Sequence, residues 1–118
     1  MLLGSFVVMH ILILAASVWP APGQTVPVEG ADKLVHAAEF AVLAWLGYRV
    51  LLRRRLAVGA VHAAVAVFVY VAFWGALTEV IQLWAPGRSC SFGDWAADIV
   101  GAALALGAAW ILTHRRTV

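Results

Sequence analysis

The chain has 118 residues, of which 64% are hydrophobic and only 12% charged, and its mean hydropathy is +0.95. So little charge cannot cover a soluble body this small, which excludes a soluble enzyme or a disordered tail; one cysteine excludes a disulfide-stapled scaffold. The net charge of +2 is scattered between apolar runs and forms no basic face that could track a nucleic acid.

Four apolar stretches are long enough to cross a hydrocarbon core, which takes roughly 17–25 residues, and lipid permits runs of this kind only as helices. The first, residues 2–19, has no formal charge and stops at Pro20-Ala21-Pro22-Gly23. It lacks a basic n-region, and Trp19-Pro20 is a poor cleavage site, so it reads as a retained membrane helix and not as a signal peptide. The second, about 34–52, carries His36 and Glu39 near its start and Arg49 near its end. The third, about 56–84, has His62 near one end and Glu79 and Gln82 near the other. The fourth, about 95–112, has Asp98 one turn in.

Short connections make successive helices antiparallel neighbours. The expected fold is therefore an all-α membrane protein, a single domain forming an antiparallel four-transmembrane-helix bundle. Arg53-Arg54-Arg55 and Arg115-Arg116 place the helix ends they flank, and with them both termini, on the cytoplasmic side. All six acidic residues then fall in the external half: Glu29, Asp32, Glu39, Glu79, Asp94 and Asp98, accompanied by Lys33 and Arg88.

On the second helix Asp32, Lys33, His36 and Glu39 are spaced three and four apart, so one stripe carries acid, base, imidazole and acid. Gly75, Glu79 and Gln82 repeat that spacing on the third. A turn at Pro86-Gly87-Arg88 leads to Ser91 and Asp94, which resemble a capping box with Asp replacing Glu. Asp32 and Asp94 also read as helix caps. Ala97, Gly101, Ala105 and Ala109 give the fourth helix a small-residue stripe for close packing, within the chain or against another copy or membrane protein. Trp19, Trp84 and Trp95 fall where an external aromatic belt would lie. His10 and His62 read as packed or interfacial, and Cys90 as an incidental thiol.

Glu39, Glu79 and Asp98 resist so plain a reading. A charged side chain in a spanning helix costs roughly 2.5–3.5 kcal/mol at its centre, and such groups face the bundle interior, where they pair or serve function. Three carboxylates from three helices at similar depth are expected to converge with His36 and Gln82.

Together, Asp32-Lys33-x-x-His36 opening a helix, Glu79-x-x-Gln82 closing the next, Pro86-Gly87-Arg88, Ser91, and Asp94 before a glycine-bearing helix resemble the VanZ-like family. Ala37 stands where an aromatic is common in that family, and Asp98 where Asn is common. The resemblance implies a small polytopic protein of the bacterial cytoplasmic membrane. It also supplies a cell-envelope context, since the family is named for a member associated with teicoplanin resistance.

The expected function is binding or modification of an envelope lipid or lipid-linked precursor at the outer leaflet. Asp32, Lys33, His36, Glu39, Glu79, Gln82, Arg88, Asp94 and Asp98 form the expected site, with no cofactor or metal. In this reading His36, Glu79, Gln82 and Arg88 contact the headgroup, Arg88 or Lys33 favouring a phosphate. Two other readings stand beside it. One is a metal-assisted hydrolase or transferase using His36, Glu39, Glu79, Asp94 and Asp98; the other is an accessory subunit docking a membrane protein through its fourth helix.

Overall fold

A computed structural model describes residues 1–20, 30–54 and 59–116. Glu29, Arg55 and the expected start of the third helix at Leu56 lie outside the described residues. Among those described there are four helices and no strand: α1 (Leu2–Val18), α2 (Ala31–Arg53), α3 (Ala60–Gln82) and α4 (Phe92–Arg115).

At 1.5 Å per residue, the 23 or 24 residues of α2, α3 and α4 reach roughly 35 Å, enough for a core about 30 Å thick. These three helices are long and apolar enough to span a membrane. The 17 residues of α1 sit at the lower limit for a span. The helices begin and end where backbone chemistry allows. Gly30, at φ 88°, caps α2, a left-handed conformation that glycine adopts without strain. Pro86 and Gly87 make the turn between α3 and α4, with Gly87 at φ 75° and the Arg88 N–H donating to the Ala85 carbonyl across 3.1 Å. That is the positive φ a type II turn needs at its third residue.

Side-chain contacts fix the helix directions. Gly47 near the end of α2 meets Phe6 near the start of α1 and Val67 early in α3, so α2 runs against both. Lys33 meets Asp94 and His36 meets Asp98, so α2 and α4 run parallel with their starts together. The α2–α4 contact is the most extensive in the bundle, while α1 packs on α2 and α3 alone among the described residues.

Where α2 and α4 cross there is no room for a side chain. A Cβ on Gly101 would overlap the Ala37 carbonyl and come within 2.8 Å of the Ala37 Cα. The small-residue stripe of α4 is thus used inside the chain, and Ala37 supplies the facing small residue. Around this crossing, Phe40, Leu43, Tyr48, Val71, Ala102 and Leu106 form the core. The outward faces are more apolar than any water-exposed surface could be: Phe73 is 67% exposed and Leu104 70%. Lipid is the solvent that accommodates such side chains.

Charge is divided between the two ends. Arg49, Arg53 and Arg54 at the end of α2 and Arg115 and Arg116 at the end of α4 share one end of the parallel pair. Every described acidic residue lies in the other half. The histidine of α1 is packed, as the sequence suggested: the Phe6 carbonyl accepts from His10 Nδ1 at 2.8 Å, and the Tyr70 hydroxyl lies 2.7 Å from Nε2.

Candidate functional site

The acidic end is built on the register that the Ala37–Gly101 crossing sets. Two parallel helices held that closely bring equivalent turns level, so successive residues of α2 meet successive residues of α4. Lys33 Nζ lies 3.2 Å from Asp94 Oδ1 and 3.6 Å from Asp32 Oδ2. One turn deeper, His36 Nδ1 donates to Asp98 Oδ1 across 2.9 Å, and its Nε2 is 3.8 Å from Asp94 Oδ2. Asp98 is completely buried.

From α3, Glu79 completes the arrangement. It is 3% exposed, and its Oε2 accepts the backbone N–H of Ser91 across 2.7 Å. Ser91 is the N-cap of α4, and its hydroxyl accepts from the Asp94 N–H across 3.2 Å. The capping box expected within the sequence 91–94 is therefore divided between two helices. The serine half is local, and the reciprocal half comes from Glu79. Asp94 does not reach back because its carboxylate is taken by Lys33 and His36. Nor do the two aspartates act as caps: Gly30 and Ser91 hold those positions, with Asp32 and Asp94 inside the first turns. There they still complement the helix dipoles.

Trp95 is half-buried. Its indole N–H donates to the Ala72 carbonyl of α3 across 3.0 Å, so it ties two helices together, while Phe92, 78% exposed, takes the outward position. Gly75 permits this packing, because a Cβ there would sit 3.0 Å from Asp98 Oδ2 and 3.3 Å from both Phe40 and Trp95.

Arg88 turns back toward α1. Its Nε donates to the Trp19 carbonyl and its Nη2 to the Ala16 carbonyl, each across 3.1 Å. These belong to the last turn of α1 and its immediate end, where carbonyls lack intrahelical partners. The arginine thereby fastens α1 to the turn after α3, keeping its remaining N–H groups for other partners.

A cavity of about 170 Å³ opens beside Arg88, lined by Asp32, His36, Glu39, Gln82 and the α1 residues Ala16 and Ser17 among others. Five of the nine residues singled out from sequence thus face one space. Lys33, Glu79, Asp94 and Asp98 form the network behind it, and His36 belongs to both. The expected convergence of Glu39, Glu79 and Asp98 takes a different form. Glu79 and Asp98 come together with His36, each offering an atom within 4.8 Å of the others, whereas Glu39 lines the cavity.

Two oxygens in this network have no partner: Glu79 Oε1 and Asp98 Oδ2 are buried and accept no hydrogen bond among the described residues. Gln82, 3% exposed, likewise makes no side-chain hydrogen bond to a described residue. Cys90 is exposed. Sequence reasoning missed Ser17, whose hydroxyl bonds the Ile13 carbonyl in its own helix, because one serine in an apolar run carries no positional signal. It also missed the partners of Arg88 and Glu79, which are backbone groups far away in sequence.

The chain matches the family model described as VanZ/LLP1 over residues 3–113, nearly its whole length. No curated protein and no solved structure matches it.

Proposed function

Because the chain belongs to the VanZ/LLP1 family, we propose that it is a multi-pass protein of the bacterial cytoplasmic membrane that binds, or presents for modification, the headgroup of an envelope lipid or lipid-linked precursor. The observation that carries this reading is the cavity holding Asp32, His36, Glu39, Gln82 and Arg88 at the end of a lipid-facing bundle. At about 170 Å³ it is smaller than the roughly 300–1,000 Å³ of sites that enclose a whole ligand. It suits one polar group whose apolar remainder lies along the outside of the helices. The exposed Trp19, Leu34, Leu83 and Trp84 surround this end and suit the headgroup level of a bilayer.

The lining suits a group with mixed polarity. Arg88 has N–H groups left to donate to a phosphate. Glu39 and Asp32 accept from hydroxyl or amine donors, and Gln82 offers one donor and one acceptor direction. The basic residues collected at the far end support placing that end, and both termini, in the cytoplasm. The cavity then opens at the outer leaflet, where glycopeptides such as teicoplanin meet their target, and susceptibility to them is the phenotype to read.

Binding is favoured over catalysis by a nucleophile of the chain. Ser91 is occupied as a helix cap, and Cys90 lines no described part of the cavity. The accessory-subunit reading loses its main support, because Gly101 is filled by Ala37. The test is photocrosslinking of the full chain in vesicles to a polyprenyl-diphosphate-linked saccharide and to phosphatidylglycerol, with susceptibility measured in parallel. Gln82→Leu and Glu39→Gln should each cut crosslinking about tenfold, the factor for losing one good polar contact of about 1.4 kcal/mol. Unchanged crosslinking in both variants, at normal expression, sinks the proposal.

A further inference from the structure

We infer that His36, Glu79 and Asp98 form a binding site for one divalent cation of the transition-metal type, lying behind the headgroup cavity. In the sequence, the His36-x-x-Glu39 spacing matches no familiar zinc signature, and no metal is expected. The structure brings them together from α2, α3 and α4, with one ligand-type atom from each within 4.8 Å of the others. One imidazole and two carboxylates form a donor set suited to zinc, manganese or cobalt, and less to calcium or magnesium, which prefer oxygen alone.

The charge balance points the same way. Buried carboxylates are normally paired with a cation or coordinate a metal. Lys33 is already held by Asp94 and Asp32, and Arg88 by two carbonyls of α1. That leaves Glu79 and Asp98 with His36 as their one basic neighbour. Each carboxylate is anchored through a single oxygen, Glu79 by the Ser91 N–H and Asp98 by His36. The other oxygen of each is buried without a partner. Gln82 is 3% exposed, its side chain makes no hydrogen bond to a described residue, and it lines the cavity that His36 also lines. His36 therefore connects the buried cluster to the space where a headgroup would enter.

A cation there also resolves a conflict in the site. The cavity and the buried network behind it hold five acids, Asp32, Glu39, Glu79, Asp94 and Asp98, against Lys33, His36 and Arg88, yet a lipid headgroup brings phosphate. A divalent ion beside His36 would offset the acids and favour that phosphate. This role rests on the headgroup reading above, whereas the binding of the ion does not.

The test uses the full chain purified in detergent, stripped with chelator and titrated with Co²⁺, followed by its visible absorption and by competition with Zn²⁺. Wild type should bind the ion stoichiometrically with a ligand-field spectrum characteristic of nitrogen and oxygen donors. Glu79→Gln should weaken binding tenfold or more, the scale of losing one partner at a metal site. It keeps an acceptor for the Ser91 N–H, so folding is preserved, and thermal unfolding checks this. His36→Ala should abolish the spectrum, while Gly107→Ala, where a Cβ meets nothing within 4 Å, should keep it. Substoichiometric Co²⁺ in folded wild type, or affinity unchanged in Glu79→Gln, overturns the site and means the two carboxyls share a proton instead. Lipid crosslinking repeated with chelator separates the two readings. Metal binding without crosslinking leaves the cation site standing and removes the headgroup. Crosslinking indifferent to chelator, with no bound Co²⁺, does the reverse.

Discussion

Glu79 on α3 accepts the backbone N–H of Ser91, the residue that caps α4, at 2.7 Å. One side chain thus fixes the start of the helix carrying Asp94 and Asp98, and it does so from a neighbour in space instead of from within the local capping sequence. Removing the acceptor leaves a half-buried N–H unpaired, which costs up to about 1–3 kcal/mol, the range for a fully buried group. Glu79→Ala should lower the thermal unfolding midpoint in detergent accordingly and raise amide exchange at residues 91–95. Glu79→Gln should stay close to wild type in both. Equal behaviour of the two variants would mean that the carboxylate does not serve as a cap.

The His36–Asp98 pair is the most buried polar contact between α2 and α4, with Asp98 fully enclosed. Breaking one side of a buried pair costs about 3–5 kcal/mol because the other group is left uncompensated. His36→Ala and Asp98→Ala should each destabilise on that scale, and the double variant should cost far less than their sum. A double-mutant cycle by denaturant unfolding measures the coupling, and additive losses would contradict it.

Gly101 faces the backbone of Ala37, which has no flexible end to move aside. Gly101→Val should therefore force α2 and α4 apart, at or beyond the roughly 1–3 kcal/mol typical of overpacking, and misalign Lys33 with Asp94. Gly107, where a Cβ would meet nothing within 4 Å, provides the contrast: Gly107→Ala should be neutral or slightly stabilising, since alanine is the better helix former. Yield and unfolding midpoint of both variants decide the matter.

Arg88 holds the end of α1 through the Ala16 and Trp19 carbonyls. Arg88→Ala should loosen α1 by about 1 kcal/mol, near the usual net worth of hydrogen bonds. Hydrogen exchange should rise in the last turn of α1 and remain unchanged in the middle of α3. Lysine at the same position should restore part of the protection, since it donates to carbonyls but lacks the planar fork.

Cys90 is exposed in the connection at the acidic end, so it reports which side of the membrane that end occupies. A membrane-impermeant thiol reagent should label it in intact spheroplasts as fully as after permeabilisation. Labelling confined to permeabilised cells would reverse the orientation.

Much of this arrangement is legible in the chain itself. Apolar run length identifies the helices because a bilayer core has a fixed thickness and leaves no unpaired backbone group. Charge segregation is equally plain: Arg53 and Arg115 sit at one end, Asp32 and Asp94 at the other. Helical spacing alone puts Asp32, His36 and Glu39 on one stripe and Gly75, Glu79 and Gln82 on another, and the three α3 residues are indeed buried. These features depend on residues near one another in sequence.

Everything that depends on the distance between helices was decided only in the folded bundle. The contact of Gly101 with Ala37 sets that distance and with it the register that gives Asp94 to Lys33 and Asp98 to His36. The folded bundle also gives Trp95 the Ala72 carbonyl of α3, groups Glu79 with His36 and Asp98, and gives Arg88 the carbonyls of α1. Periodicity determines which face a side chain occupies. Which partner it meets there depends on a hydrogen-bond length, and one residue's difference in helix packing is enough to change it.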